Sequence, residues 1–382
     1  MNLQALRQDI EDWALALNFD GIGIARIETS EAMRHVDRWI EQGFHGEMHY
    51  MAQNRGLRAD PSQLVGGALT VISVRIDYLP FPLARAFERL ERPELAAVSI
   101  YALGRDYHKL IRKRLGQLAR QIESVVGPFG YRVFADSAPV LEKNYAERAG
   151  LGWIGKHTNL INRHAGSLFF LGEIVTDLPL PLDEPVTTHC GSCTACLVAC
   201  PTAAIVAPYR LDARRCIAYL TIEHEGPIAE EFRSLIGNRV FGCDDCQLVC
   251  PWNRYARVTR EIAFLPRQGL EEAELLTLFS WTESDFLHRL EGSPIRRIGY
   301  LRWLRNLAIG LGNAPFSPRA VGALRARLNH SSGMLQEHVQ WALKRQLEKA
   351  AEGSPAPKTP IRVSSAPAGE VSLGTISPLG AP

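Results

Sequence analysis

Eight cysteines, all between residues 190 and 250 of a 382-residue chain, constrain this sequence more than any other feature in it. The first run, Cys190-Gly-Ser-Cys193-Thr-Ala-Cys196-Leu-Val-Ala-Cys200-Pro201, is C-x2-C-x2-C-x3-C-P, the spacing of a bacterial-type iron–sulfur ligand loop. Three thiolates at x2 spacing wrap one face of a cubane, and the fourth, held ahead of a proline, reaches a second cluster. The later run, Cys243-Asp-Asp-Cys246-Gln-Leu-Val-Cys250-Pro251, lacks the first member of the pattern, and Val240 stands in its place. Cys216 is the thiol left to fill the gap. Crossed ligation then gives Cys190, Cys193, Cys196 and Cys250 to one 4Fe–4S cluster, and Cys200, Cys216, Cys243 and Cys246 to the other.

Two other uses of cysteine fit less well. Disulfides suit small secreted domains, whereas this chain is long and its start, Met1-Asn-Leu-Gln-Ala-Leu-Arg-Gln-Asp-Ile10, has no basic segment leading into an apolar one. Structural zinc sites use paired C-x2-C knuckles, a poor match to a tight C-x2-C-x2-C run with a trailing C-P. No apolar run reaches transmembrane length, so a cytoplasmic protein without membrane association is expected. A net charge of only +2 confines any nucleic-acid surface to a local patch.

Before the cysteines, helical and strand patterns alternate. Leu3, Leu6, Ile10, Trp13 and Leu17 lie at helical spacing, and Gly21–Arg26 reads as a short strand. Further strands are expected at 68–75, 96–101, 131–136, 158–161 and 167–176, with a long basic helix over 106–125 and another ending at Ala149. Residues 1–180 therefore suggest an α/β (α+β) sandwich around one sheet, and the proline-rich segment 178–185 a boundary into a ferredoxin-type domain over 181–260. From Pro294 to Arg345, nine Lys or Arg stand against the single acid Glu337. Two similar amphipathic helices, near 300–313 and 335–344, suggest a basic helical-repeat (HEAT-like) domain over 261–350, with a plain helical cap as the alternative. Residues 351–382, rich in Pro, Ser, Ala and Gly, are expected to form a disordered tail. No Walker loop, Rossmann fingerprint or haem motif is present, and Asp106-Tyr-His108 starts but does not complete the D-x-H-x-x-G signature of cobalt-ligating cobalamin proteins.

Several longer motifs point to a known family. Arg58-Ala-Asp-Pro, Gly104-Arg-Asp-Tyr-His-Lys, Asp136-Ser-Ala-Pro-Val-Leu-Glu-Lys143, Ala146-Glu-Arg-Ala-Gly-Leu-Gly-Trp-Ile-Gly-Lys156, Tyr219-Leu-Thr-Ile-Glu223 and the cysteine set together resemble the epoxyqueuosine reductases, from the N-terminus to about residue 350. That resemblance implies a cobalamin, resting as cob(II)alamin, bound without a protein ligand to cobalt and beside a cluster. It implies an epoxide-bearing substrate at the wobble position of tRNAs with GUN anticodons, reduced to queuosine by electrons passing through both clusters. It makes Asp136 the proton donor and carries corrin contacts over to Arg58, Tyr101, Asp136, Lys143, Lys156, Thr158, Leu171 and Glu223. The bland alternatives are an Arg58–Asp60 pair, surface roles for Lys143 and Lys156, and core packing for Tyr101 and Leu171. Arg296, Arg297, Arg302 and Arg305 are candidates for phosphate contacts to the anticodon stem-loop. A flavodoxin or ferredoxin as electron donor and a monomeric chain complete the expectation. A reductive dehalogenase and a non-enzymatic electron carrier are the competing classes.

Overall fold

The computed structural model describes residues 2–352. The segment expected as a disordered tail lies outside them, except for residues 351 and 352, which end the last helix.

Helix α1 (Leu3–Ala16) begins where the Asn2 side chain accepts from the N–H groups of Gln4 and Ala5, capping two of the orphan donors of a helix start. Its buried stripe is Leu6, Ile10 and Ala14, the spacing that selects a helix over a strand here. Four strands then build the central sheet: β1 (Gly21–Arg26), β2 (Thr70–Asp77), β3 (Tyr131–Phe134) and β4 (Phe169–Thr176). They lie in the order β1-β2-β4-β3 with every neighbouring pair antiparallel. The sheet is therefore of the α+β kind rather than a parallel, doubly wound one. β2 and β4 are buried along their whole length, which is why they read as near-continuous apolar runs.

Strand alternation sorts the side chains by face. Ile72, Val74, Ile76, Phe170 and Ile174 join one core with α1 and with α2 (Tyr107–Val126), which Asp106 caps through the His108 N–H. Gly172 lets α2 approach closely, because a Cβ there would lie 2.5 Å from Ile111. On the opposite face Val71, Val175 and Phe134 pack with Tyr145 of the short helix α3 (Glu142–Arg148). This second face also carries two polar residues in direct cross-strand register, Ser73 and Glu173.

The run at 96–101, expected as a full strand, is extended only at Ala97–Val98 before a 3-10 turn at Ile100–Ala102. A tertiary contact ends it: the Asp244 carboxylate accepts from the Ser99 hydroxyl and the Ile100 N–H. The two extended residues pair in parallel with Arg239–Phe241, stitching the cysteine-bearing segment to the first part of the chain. In that segment each Cys-Pro follows a one-turn helix, Ala195–Ala199 or Asp245–Leu248. Cys200 and Cys250 both leave the helical region (ψ 113° and 121°), as a residue before proline must, and this turns each fourth thiol away from its own loop.

The helix Gly299–Asn313 is buried on nearly every side, against the helices Leu275–Phe279, Glu230–Ile236 and Gly333–Glu352. One hydrophobic cluster includes residues from Leu6 to Ala342 and so joins the segments 1–180, 181–260 and 261–350, with two smaller clusters held within 1–180. Among the described residues no helix is long and apolar enough to cross a membrane.

Candidate active site

A cavity of about 390 Å³ opens between the sheet and the cysteine-bearing segment. Its walls bring together Asp136, Tyr107, Tyr101, Glu142, Lys143, Thr158 and Leu171 on one side and Cys200, Cys216, Cys243 and Cys246 on the other. Residues more than 100 positions apart thus face one space.

Asp136 leads from β3 toward α3 in a left-handed backbone conformation (φ 54°), and Thr158 across the cavity does the same (φ 67°). A non-glycine residue held there costs about 1 kcal/mol or more, and such positions concentrate at functional sites. The Asp136 side chain is 53% exposed. Its carboxylate accepts from the Tyr107 hydroxyl and lies 3.2 Å from His108 Nε2, while His108 Nδ1 contacts Asp106 at 2.7 Å. Burial pushes the Asp136 carboxyl up, but the hydrogen bonds of His108 and Tyr107, with the charges of His108 and Arg297, outweigh it and hold the group below the usual range. Burial pulls His108 down, yet its two carboxylate partners raise it to about 9. Asp136 and His108 therefore share one proton at neutral pH, which rests on the imidazole.

His157 at the cavity wall accepts the Asn159 N–H on Nδ1, so its Nε2 carries the proton in the neutral ring. That Nε2 is buried without a protein partner, and burial lowers the ring to about 4. It is a hydrogen-bond donor and offers no lone pair to a metal.

Among the described residues all eight cysteines are free thiols. The ionisation of Cys250 is disfavoured by burial and then by Cys190, Cys196 and Cys193, and that of Cys246 by burial and then by neighbours that include Cys216 and Cys200. Burial and this mutual repulsion raise Cys196 and Cys250 to about 11. Four such thiolates need a shared cationic centre to coexist. Among the described residues no three acidic, His or Cys side chains converge on a single metal-ion position. Cys193 is the exposed member of the set, Cys196 and Cys250 are buried, and the others, Cys246 among them, are half-buried.

The other candidate residues fall into three places. Tyr101, Lys143, Thr158 and Leu171 line the cavity, and the Lys143 ammonium donates to the Thr158 carbonyl at 2.9 Å. Arg58 and Glu223 lie beside Tyr50, outside the residues that line the cavity: Arg58 is 5% exposed and donates to the carbonyls of Tyr50 and Met51, and Glu223 is paired with Arg297. Arg58 accordingly makes no ion pair with Asp60, whose carboxylate instead binds Ser62 and Gln63. Lys156 points elsewhere; its ammonium donates to the Gly191 and Cys193 carbonyls at 2.6 and 2.8 Å and pins the outer cluster loop.

Arg305 corrects the expectation of a phosphate contact. It is 0% exposed, and its guanidinium donates to the carbonyls of Leu220, His224 and Gly226. Arg302 also turns inward, to the Ile298 and Ile222 carbonyls, which leaves Arg296 and Arg297 as the exposed pair. Arg305→Ala should therefore destabilise the fold rather than weaken RNA binding. Three stranded carbonyls at about 1–3 kcal/mol each predict a thermal midpoint lowered by several degrees or more, read by differential scanning calorimetry.

Comparison with known proteins agrees with this geometry. A family model for a 4Fe-4S double cluster binding domain matches residues 189–253, and one for epoxyqueuosine reductase QueG matches residues 58–137. The epoxyqueuosine reductase of Pseudomonas aeruginosa is 60% identical over 341 residues, 89% of this chain and 94% of that protein. That of Escherichia coli K12 is 52% identical, covering 91% and 92% of the two chains. The chain belongs to the epoxyqueuosine reductase family. It is thus an oxidoreductase of queuosine tRNA modification with a 4Fe–4S binding domain. A crystal structure of epoxyqueuosine reductase with an epoxyqueuosine-modified tRNA-Tyr stem loop superposes with a TM-score of 0.79 at 25% identity, over 93% of this chain and 96% of that one. The Bacillus subtilis enzyme with its catalytic loop swung out of the active site gives 0.79 at 26% identity, over 92% and 95%.

Against the family motifs, site residues that sequence reasoning missed are Tyr107, His108, Glu142 and His157. The first two sit inside Gly104-Arg-Asp-Tyr-His-Lys, a motif visible in the chain but without an assigned role.

Proposed function

We propose that this family member reduces epoxyqueuosine to queuosine at the wobble position of tRNAs with GUN anticodons, using two 4Fe–4S clusters and a cobalamin. The observation that carries this is Asp136, with Tyr107 and His108, facing Cys200, Cys216, Cys243 and Cys246 across one cavity. A cobalamin resting there as cob(II)alamin supplies the reductive cleavage of the carbon–oxygen bond. Tyr101 and Leu171 offer apolar wall, Lys143 and Thr158 polar contacts, and the His157 Nε2–H a donor for an amide side chain of the corrin. The His157 ring, its Nδ1 lone pair engaged by the Asn159 N–H, would offer none to the cobalt.

Cys190, Cys193, Cys196 and Cys250 would hold the cluster that takes electrons from a small flavodoxin- or ferredoxin-type protein, since Cys193 is exposed, and Cys200, Cys216, Cys243 and Cys246 would hold the one beside the cavity. Asp136 protonates the departing oxygen. Its proton comes from the pair it forms with His108: imidazolium with carboxylate is one tautomer, neutral imidazole with carboxylic acid the other, and growing negative charge on the substrate oxygen favours the second. Tyr107 fixes the carboxylate without supplying a proton itself, since burial raises its hydroxyl well above the usual value. We take the protein to act as a cytoplasmic monomer, with a corrin-binding α/β sandwich, a ferredoxin-type domain and a basic helical-repeat domain as its parts.

The anticodon loop approaches the exposed Arg296 and Arg297, the second of which acts on Asp136 through its charge. Reversing both, Arg296→Glu with Arg297→Glu, should weaken binding of the tRNA stem-loop and reduce its salt slope by about two, leaving cluster content unchanged. Fluorescence anisotropy across a salt series measures this. The activity itself is tested by anaerobic incubation with epoxyqueuosine-containing tRNA, with and without added cobalamin. Queuosine formed only with the corrinoid is the expected result, and its absence from the reconstituted protein overturns the assignment.

A further inference from the structure

Converting an epoxide to an alkene breaks two carbon–oxygen bonds, forms one carbon–carbon π bond, releases water, and consumes two electrons and two protons. The electrons come from the external one-electron reductant. The protons must come from the site, and the Asp136–His108 pair holds one.

A second pair of carboxyls lies behind it. Glu142 opens α3 at the cavity wall, and the Asp136 backbone N–H faces its carboxyl. Glu173 sits midway along β4, on the sheet face that packs against α3, and is 1% exposed. Among the described residues neither of its carboxyl oxygens has a hydrogen-bond partner. The Ser73 hydroxyl directly across the strands and the Tyr145 hydroxyl on α3 are equally buried and equally unpartnered. Buried polar groups almost always find partners, and three orphans together mark a place kept polar for a reason other than packing.

The charges facing this place exclude a carboxylate. Glu142 and Asp136 act on Glu173 as like charges; Tyr145 beside it faces Arg148 and Glu28 as well as Glu173, and Arg75, diagonally across the strands, is paired with Asp77. Asp136, Lys143 and His108 face Glu142. Burial foremost, then repulsion by the neighbouring acids, pushes Glu173 well above the usual range and Glu142 up to about 7. Both acids are thus able to store a proton near neutrality.

We propose that Glu142 and Glu173 form a proton store behind Asp136 that supplies the second proton of each turnover. Once Asp136 has given up its proton, the Glu142 carboxyl proton passes to the Asp136 carboxylate through cavity water, and the Glu173 carboxyl proton passes to Glu142 through a water held by the unpartnered Ser73 and Tyr145 hydroxyls. Solvent entering through the cavity refills the pair before the next substrate. Neither glutamate touches the epoxide; both are positioning residues acting through Asp136. The proposal rests on the epoxide-reduction reading above.

The test compares wild type with Glu173→Gln, a near-isosteric and neutral replacement, as reconstituted holoenzymes in single turnovers on an epoxyqueuosine-modified stem-loop. At about pH 8.5 Glu142 alone no longer holds a proton, so the variant should lose at least about tenfold more rate relative to wild type there than at about pH 6. An equal loss at both pH values means a packing role and overturns the proposal, as does an unchanged profile. A second readout needs neither cofactor nor turnover: the infrared carbonyl band of a protonated carboxyl, present in the wild-type protein at about pH 8 and missing from the variant. A wild-type-minus-variant spectrum without that band also overturns it. Should Glu173→Gln fail to fold, Glu142→Gln removes the relay itself: its rate should fall at both pH values while the infrared band of the Glu173 carboxyl at about pH 8 stays, and an unchanged rate or a missing band overturns the proposal. A wild-type protein that forms no queuosine defeats the assigned reaction instead, while the infrared difference still reports whether the store exists.

Discussion

Asp136→Ala is expected to lower queuosine formation by roughly 10²–10⁴-fold, the usual worth of a positioned general acid, while both clusters and the corrinoid stay bound. The expectation rests on where the proton lies. Asp136 is the member of its pair that opens to the cavity, whereas the His108 side chain is only 18% exposed and is held between Asp106 and Asp136. Without Asp136 the imidazole keeps one carboxylate partner, so its pKa falls from about 9 and its proton no longer reaches the substrate oxygen. A stability signature accompanies the kinetic one. His108 titrates higher folded than unfolded, so its pairing stabilises the protein fully below about pH 6.5 and is lost as pH rises through about 9. The thermal midpoint of Asp136→Ala should therefore lie below wild type at neutral pH and approach it above about pH 9. Retained turnover in a variant that keeps its iron and cobalt would remove Asp136 from the mechanism.

The contrast between Asp136 and its partners shows which parts of this site a sequence makes legible. Cysteine spacing is local: one loop must place three sulfurs on a cube face, so residues 190–200 announce their ligand directly, and the pre-proline positions of Cys200 and Cys250 forecast their change of direction. The strands at 70–77 and 169–176 were visible as apolar runs, but their antiparallel order was not, since a fully buried strand has no alternation to reveal its neighbours. Tertiary partners also overrode local preference. Asp244, more than 140 residues away, cuts short the strand at Ala97–Val98. Arg305 is a surface residue by type and a buried one in fact, because the carbonyls at the end of the helix Ile217–Ile222 and just beyond it satisfy its guanidinium. His108 could be seen in its motif, yet its task depends on a loop 28 residues further on, read by no periodicity. Glu173 left a clearer trace: a single acid inside Phe169-Phe-Leu-Gly-Glu-Ile-Val-Thr176 contradicts the run around it. A charge in a buried central strand is costly unless it is neutralised or used.

Cys216→Ser is the sharpest test of the crossed ligand scheme, because Cys216 belongs to neither local run. It stands just ahead of the helix Ile217–Ile222, with an extended backbone (ψ 125°), and lines the cavity beside Cys243 and Cys246. A serine hydroxyl is a hard, weakly acidic donor and a poor substitute for a thiolate on iron. Iron and acid-labile sulfide should fall from about eight of each per chain toward about four, with the outer cluster retained. Cys193, Cys190, Cys196 and Cys250 are untouched by the change, so an electron paramagnetic resonance signal from one reduced cluster should persist. Turnover should fall to background even so, since the retained cluster lies at the exposed site and the lost one at the cavity. The control is Cys193→Ser, which removes a ligand from the exposed set; there the signal lost should be that of the outer cluster. Cys216→Ser protein that still carries eight irons and turns over would break the assignment of Cys216 and with it the path by which electrons reach the cavity.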